Sequence, residues 1–538
     1  MLAITVDTLV DEADGSIDDG DVSLRDAIAL AAVGEQIDFS VTGIMTLTLG
    51  ELVIDKALTV SGPGANLLTV DASGNDPTPE ENNGDGSRVF RVDDGLEDQQ
   101  IDVRIAGLTV TGGDAPGAVG GGALFNRENL TLAESIFTGN ATGFLGGGIY
   151  NDATGVLSLE TSTVSNNSAG GFGGGVFNQG VVSITSSTLS MNSAEFGGGL
   201  FNNTVGTTTI TSTTMSSNVA ISSGGGIHTR GILQVRSSTM SGNSAPSGGG
   251  IFNTSAGVLT VVHSTIALNS ADNFGGGIFN AGTAAIHGSL IAQNNVDSSP
   301  DILGEVIGEY NLIGDGTGMS GLVDGSNGNQ VGSGVSPIDP LLGPLQDNGG
   351  PTFTHSLLSG SPAIDKGDPG LNPPPYYLDQ RAYVRVVDGD GDEEARADVG
   401  AVEFKSIPLP GDGNQDGKAD GLDYLIWAEA FGDDPAQVPP GSPQNGDYND
   451  DGVVDGVDYL LWANYFEASN PPIPSAVVSA EPASATGTDH LAGLDLALEA
   501  DYDAGAMVAD DQVARDWQLG RAFDSVLKNM VGKRHGLK

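Results

Sequence analysis

Gly120-Gly121-Gly122-Ala123-Leu124-Phe125-Asn126 is the first of seven occurrences of one phrase. It returns as Gly146-Gly147-Gly148-Ile149-Tyr150-Asn151, and again in versions that end at Asn178 and Asn202. The fifth, Gly224-Gly225-Gly226-Ile227-His228-Thr229, is degenerate, and the last two end at Asn253 and Asn280. Counted from the third glycine, the steps are 26, 27, 24, 27, 24 and 27 residues. A fixed period in this range marks a solenoid, whose units bury their apolar faces only by stacking on one another.

Between the copies runs a second phrase, from Leu130-Thr131-Leu132 to Phe137-Thr138-Gly139-Asn140 in its first version. Its apolar–polar alternation is that of a strand with one buried face, and Ser, Thr, Val and Ile dominate it. Short strands around Gly and Asn corners predict an all-β chain wound as a right-handed parallel β-helix, one coil per repeat. Gly and Asn are expected at the corners because both tolerate positive φ. Asn140, Asn167, Asn192, Asn218, Asn243, Asn269 and Asn294 recur every 25 to 27 residues. On coils about 4.8 Å apart they are expected to form an amide ladder. A leucine-rich repeat has a similar period, but Gly and Ser leave its helix no room. A calcium roll of the RTX type needs Asp where this chain has Leu124, Tyr150, Phe177 and Phe201.

The formal charge of −50 argues against nucleic acid and anionic membranes as partners. Cysteine is absent, which excludes disulfides and thiolate metal sites. No apolar run reaches the roughly 20 residues needed to span a bilayer. No signal peptide stands ahead of Ile4-Thr5-Val6; we read Met1 as an internal residue, because the modules below point outside the cell.

Five segments follow. Residues 1–112 are read as an N-terminal cap and irregular coils. Within them Ser23 is the expected N-cap of a short helix, with Asp26 in the capping-box place. Val22-Ser23-Leu24-Arg25-Asp26-Ala27 resembles the Cys-Ser-Leu-Arg-Glu-Ala leader of bacterial β-helix proteins, with Val22 and Asp26 as departures. Residues 113–296 are the regular coil, with seven carboxylates, three arginines and no lysine. Residues 297–405 leave the period. They carry Asp347-Asn348-Gly349-Gly350-Pro351-Thr352, Gly360-Ser361-Pro362-Ala363-Ile364-Asp365, Asp379-Gln380-Arg381 and Asp398-Val399-Gly400-Ala401-Val402-Glu403-Phe404. This succession resembles the closing segment of choice-of-anchor surface proteins. The resemblance implies the C-terminal end of a β-helix and an extracellular setting. Residues 467–538 are read as a linker rich in Ala, Ser and Pro followed by a helix over 511–531 with a basic end.

Residues 406–466 hold the one site with evident chemistry. Hard Ca²⁺ takes six to eight oxygens, and a twelve-residue loop supplies them at positions 1, 3, 5, 7, 9 and 12. Asp412, Asn414, Asp416, Lys418 (carbonyl), Asp420 and Asp423 fit, with Gly417 at the sharp turn. Asp447, Asn449, Asp451, Val453 (carbonyl), Asp455 and Asp458 repeat the pattern 35 residues later. Tyr424-Leu425-Ile426-Trp427-Ala428 and Tyr459-Leu460-Leu461-Trp462-Ala463 give each loop a matching exit helix. A full EF-hand is disfavoured, because Pro-rich stretches replace its entering helix. The duplicated unit resembles a type I dockerin. That implies two Ca²⁺ sites and a cohesin-like partner. Gly421-Leu422 and Gly456-Val457 stand where the family often carries a Ser-Thr type pair.

For the coil two functions are weighed. The first is a non-catalytic extracellular or cell-surface scaffold or adhesin, a monomer that presents its surface to a polysaccharide or cell-surface ligand. The second is a polysaccharide hydrolase or lyase tethered by the dockerin-like module. An autotransporter adhesin is disfavoured, because no alternating strands of a membrane barrel follow. Catalysis needs converging carboxylates or a basic residue beside a bound uronate. The regular coils offer Asp114, Glu128, Glu134, Asp152, Glu160, Glu195 and Asp272 at offset places, and His228, His263 and His287 are read as structural.

Overall fold

The computed structural model describes residues 3–17, 20–78, 84–96, 99–116, 120–295, 300–370, 378–392, 394–405, 411, 419, 421–431, 446, 448, 454 and 456–465. Its body is the expected parallel β-helix. One coil is represented by Leu124–Asn126 on a first face, Asn129–Ala133 on a second, Ile136–Thr138 on a third and Ala141–Thr142 on a fourth. Stacking makes parallel sheets of 11, 12, 12 and 7 strands from these faces. Such crossovers are right-handed almost without exception. Register is kept residue for residue: Leu124 lies on Ile149, Ile149 on Val176, and Val176 on Leu200. These inward side chains and those of the second and third faces, such as Leu132 and Phe137, fill one continuous core.

The closing asparagines form the expected ladder. From Asn140 to Asn294, each Nδ2 donates to the next Oδ1 at 2.8–3.1 Å, and each backbone N–H donates to the same oxygen. Their backbone differs from the expectation. The left-handed residue is the one before each of them: Gly139, Asn166, Met191, Ser217, Gly242, Leu268 and Gln293. The asparagines themselves point inward, where an amide satisfies buried polar groups that no water reaches. A second amide column, Asn126, Asn151, Asn178 and Asn202, runs along the first face. Ser135, Ser162, Ser187, Thr213, Ser238, Ser264 and Ser289 make a hydroxyl column between the second and third faces.

The triple glycines serve close approach. From the second copy onward the first glycine is left-handed, with φ of 60° to 70°. The second has no room for a side chain: a Cβ on Gly174 would overlap the carbonyls of Ser193 and Gly198. This crowding folds the fourth face back over the outside of the first. Phe125, Tyr150, Phe177 and Phe201 thereby meet Leu145, Phe172 and Phe196 in a satellite core. The aromatic stripe of the repeated phrase is therefore buried.

At the N-terminal end Leu24–Leu30 is the expected helix, with Ser23 Oγ accepting from the Asp26 amide. Its Leu24, Ala27 and Ile28 cover the first coils and join the main core. At the other end strands continue to Gln330–Val331. The chain then turns back. Residues 341–370, 378–392 and 394–405, opened by the hairpin Leu342–Gln346 and Thr354–Leu357, lie along the third face of the coils that span residues 212–290. Gln380 bridges Thr214 and Thr239, His355 meets Ser241 Oγ at 2.9 Å, and the Ala401 amide donates to Thr265. The recurring motifs of this segment are its internal bolts. Asp379 Oδ2 accepts from Arg381 and from the Glu403 amide, and Glu403 Oε2 accepts from the Asp398 amide. Burial pushes Asp398 up to about 7 and Glu403 well above its usual range.

Candidate functional sites

Of the twelve residues assigned to calcium, only Asp423 and Asp458 are among those described. Asp412, Asn414, Asp416, Lys418, Asp420, Asp447, Asn449, Asp451, Val453 and Asp455 lie outside them. The two exit helices form, as Gly421–Ala430 and Gly456–Tyr465. Asp423 and Asp458 are third in each helix, and both are fully buried. Tyr448 ties the two repeats together, its amide donating to Asp458 Oδ1 at 2.8 Å and its hydroxyl to the Asp423 carbonyl at 2.6 Å. The helices lock through reciprocal ring pairs, Tyr424 with Trp462 at 5.3 Å and Trp427 with Tyr459 at 5.2 Å. A Cβ on Gly411 would stand 2.6 Å from the Trp462 Cα, and one on Gly446 3.0 Å from the Trp427 Cα. Each repeat thus leans on the other's helix. Leu422 and Leu425 on one helix, and Val457 and Leu460 on the other, remain exposed. Asp423 and Asp458 are both carboxylate oxygen donors of the kind a hard divalent cation takes.

The carboxylates of the regular coils do not converge with one another. Asp152 pairs with Arg127 at 2.6 Å, Glu195 is buried, and Glu134 and Asp272 sit apart. Asp114 and Glu128 are instead joined by acids of the preceding loops, Asp76 and Asp85 in one group, Asp93 and Asp94 in the other. Glu128 accepts from the Asp94 and Ile101 amides, so it fastens a loop, and burial raises its pKa. Burial pushes Asp93 up as well, but the Arg91 guanidinium and the Gly95 amide outweigh it and hold it low.

His228 and His263 are buried in the coils, and His287 lies 3.7 Å from Glu309 and 3.9 Å from Asp368. His228 is stacked between Phe201 and Phe252 at 4.8 and 5.0 Å, with Nδ1 on Ser223 Oγ. Burial drives His228 and His263 well below the usual range. Sequence reading missed a shallow cleft of about 330 Å³ on the second face, lined by Thr59, Asp102, Arg104, Asn129, Thr131 and Ser158. Arg104 also lies 3.8 Å from Glu160, which is not part of the lining. Its signal was a lone cation in the strand Asp102–Ala106, and only register places it beside residues 25 to 55 positions away.

No protein-family model matches the chain, and no curated protein does. A solved pectate lyase, Pel9A, is similar at 13% identity, over 75% of this chain and 98% of that one, with a TM-score of 0.40. No helix among the described residues is long and apolar enough to cross a membrane.

Proposed function

We propose that this chain is a non-catalytic β-helix of the cell exterior, attached to its partner through a calcium-binding, dockerin-like module. In this reading residues 1–112, 113–296 and 297–405 make one coiled body that ends in a choice-of-anchor type segment. Residues 406–466 are the attachment module, and 467–538 a linker and terminal helix. The observation that carries it is the reciprocal helix pair with fully buried Asp423 and Asp458 at equivalent places. Buried carboxylates are costly unless a counter-charge meets them. Two Ca²⁺ ions held by the two sets of six ligands named above would add positive charge to the contacts these carboxylates already make. Exposed Leu422, Leu425, Val457 and Leu460 offer an apolar face for a cohesin-like partner.

Calcium removal from the full chain tests this. EDTA should weaken the helical part of the circular dichroism spectrum and abolish one thermal transition, while the transition of the coil persists. Identical spectra and melting with and without calcium would sink the module. The second-face cleft, lined by Asp102 and by Arg104, which pairs with Glu160 outside the lining, supports the other reading, a tethered polysaccharide hydrolase or lyase. Reducing-end and unsaturated-product assays on pectin, alginate and sulfated glycans decide it. A flat panel retires the enzyme.

A further inference from the structure

The third face repeats one outward pattern along its length. Thr163, Thr188, Thr214, Thr239 and Thr265 form one row, and Thr138, Ser165, Ser190, Ser216 and Ser241 the next, in unbroken register. The chain treats the two halves of this face differently. Thr214, Thr239 and Thr265 are buried where Phe353, Gln380 and Ala401 contact them, whereas Thr163 and Thr188 in the same row are half-buried. The open stretch covers the coils of Ile136–Thr138, Thr163–Ser165 and Thr188–Ser190. Ala65 closes it at one end by accepting from Thr109. Phe353 marks the other end: its carbonyl takes the Thr214 hydroxyl, and its side chain is 55% exposed.

The covered half displays what this surface binds. Its hydroxyls engage a Gln amide, a His ring nitrogen, a main-chain amide and a main-chain carbonyl. Those are the groups of an irregular, uncharged polypeptide, and a hydroxyl can serve any of them because it both donates and accepts. The open rows carry no charged side chain, so an ionic partner would lose water there without gaining a counter-charge. Three coils span about 14 Å, the reach of four or five extended residues. A patch about 14 Å by about 10 Å covers on the order of 150 Å², well below the roughly 800 Å² per partner of a stable dimer, which disfavours a second copy.

We propose that the open three coils of the third face, beside Phe353, dock a short, extended, uncharged segment of a partner protein. The segment continues the interface that the chain already makes with itself. This does not depend on the calcium module. The probe is a labelled, end-capped peptide copying Gly350 to Leu358, titrated into the full chain with calcium present. Saturable binding is expected, weakened at least tenfold by Thr163→Arg with Thr188→Arg and unchanged by Ser183→Arg on the second face. Thr163→Val with Thr188→Val, which keeps the shape, should weaken it several-fold. Absence of saturable binding, or equal binding by the arginine variant at an unchanged melting temperature, overturns the proposal. So does a wild-type dimer in sedimentation that the arginine variant dissociates, since a second copy would then be the occupant.

Discussion

Thr229 is the weak point of the first-face amide column. Asn202 donates to its Oγ1 at 3.1 Å, but the Thr229 hydroxyl turns to the Gly231 carbonyl. Asn253 Oδ1, the next acceptor, is left buried with no partner. Thr229→Asn restores the donor and should stabilise the coil by about 1–2 kcal/mol, read from chemical denaturation. Asp301 ends the other column, accepting from both the backbone and the side chain of Asn294. Burial lifts its pKa from 3.8 to about 6. Between those values the folded chain keeps a proton that the unfolded chain has released. Stability from this group is therefore greatest near pH 4 and falls as pH rises to 6, by on the order of 3 kcal/mol. Asp301→Asn keeps the acceptor for Asn294 and removes the titration, so its denaturation midpoint should move less between pH 4.5 and 7. A midpoint as pH-sensitive as the wild type's would refute the assignment.

At the scale of elements, the strands are short and the corners set their geometry. Left-handed φ falls on Met191 and Leu268 as well as on Gly139 and Gly242, so the corner tolerates residues that strain it. The asparagine after each corner is not itself left-handed and contributes through its side chain. The ladder was legible from spacing alone, because inward amides repeat with the coil. Which residue bends the chain was not, since Asn166 and the adjoining Asn167 look alike in sequence. The glycine column is less forgiving than the corner. Gly174→Ala adds a Cβ against two main-chain carbonyls that neighbouring coils hold in place. It should cost about 2–3 kcal/mol and lower the melting temperature, with the loss centred on the satellite core of Phe172 and Phe177.

At the scale of the molecule, Gln380 joins the folded-back segment to the coil. It is fully buried, and its amide serves Thr214, Thr239 and Thr352. Gln380→Ala strands these hydroxyls and should speed hydrogen exchange throughout residues 341–405, while the ladder amides of residues 140–294 stay protected. Uniform acceleration in both regions would show that the segment and coil unfold as one. The repeat period and the asparagine ladder were set by sequence because each depends on neighbours one coil away at a constant spacing, and the capping helix because Ser23 meets Asp26 only three residues on. The duplicated acidic loops carry the calcium proposal through residue type and order alone, since ten of its twelve ligands lie outside the described residues. Tertiary structure alone decided that the aromatic stripe is buried, that Arg104 meets Glu160, and that the segment following Val331 turns back along the third face. Contacts such as Ser241 with His355 and Thr214 with Gln380 join residues 114 and 166 positions apart, with no period between them. A hydroxyl row offers the same chemistry at every coil, so only the path of the returning chain determines which coils it covers.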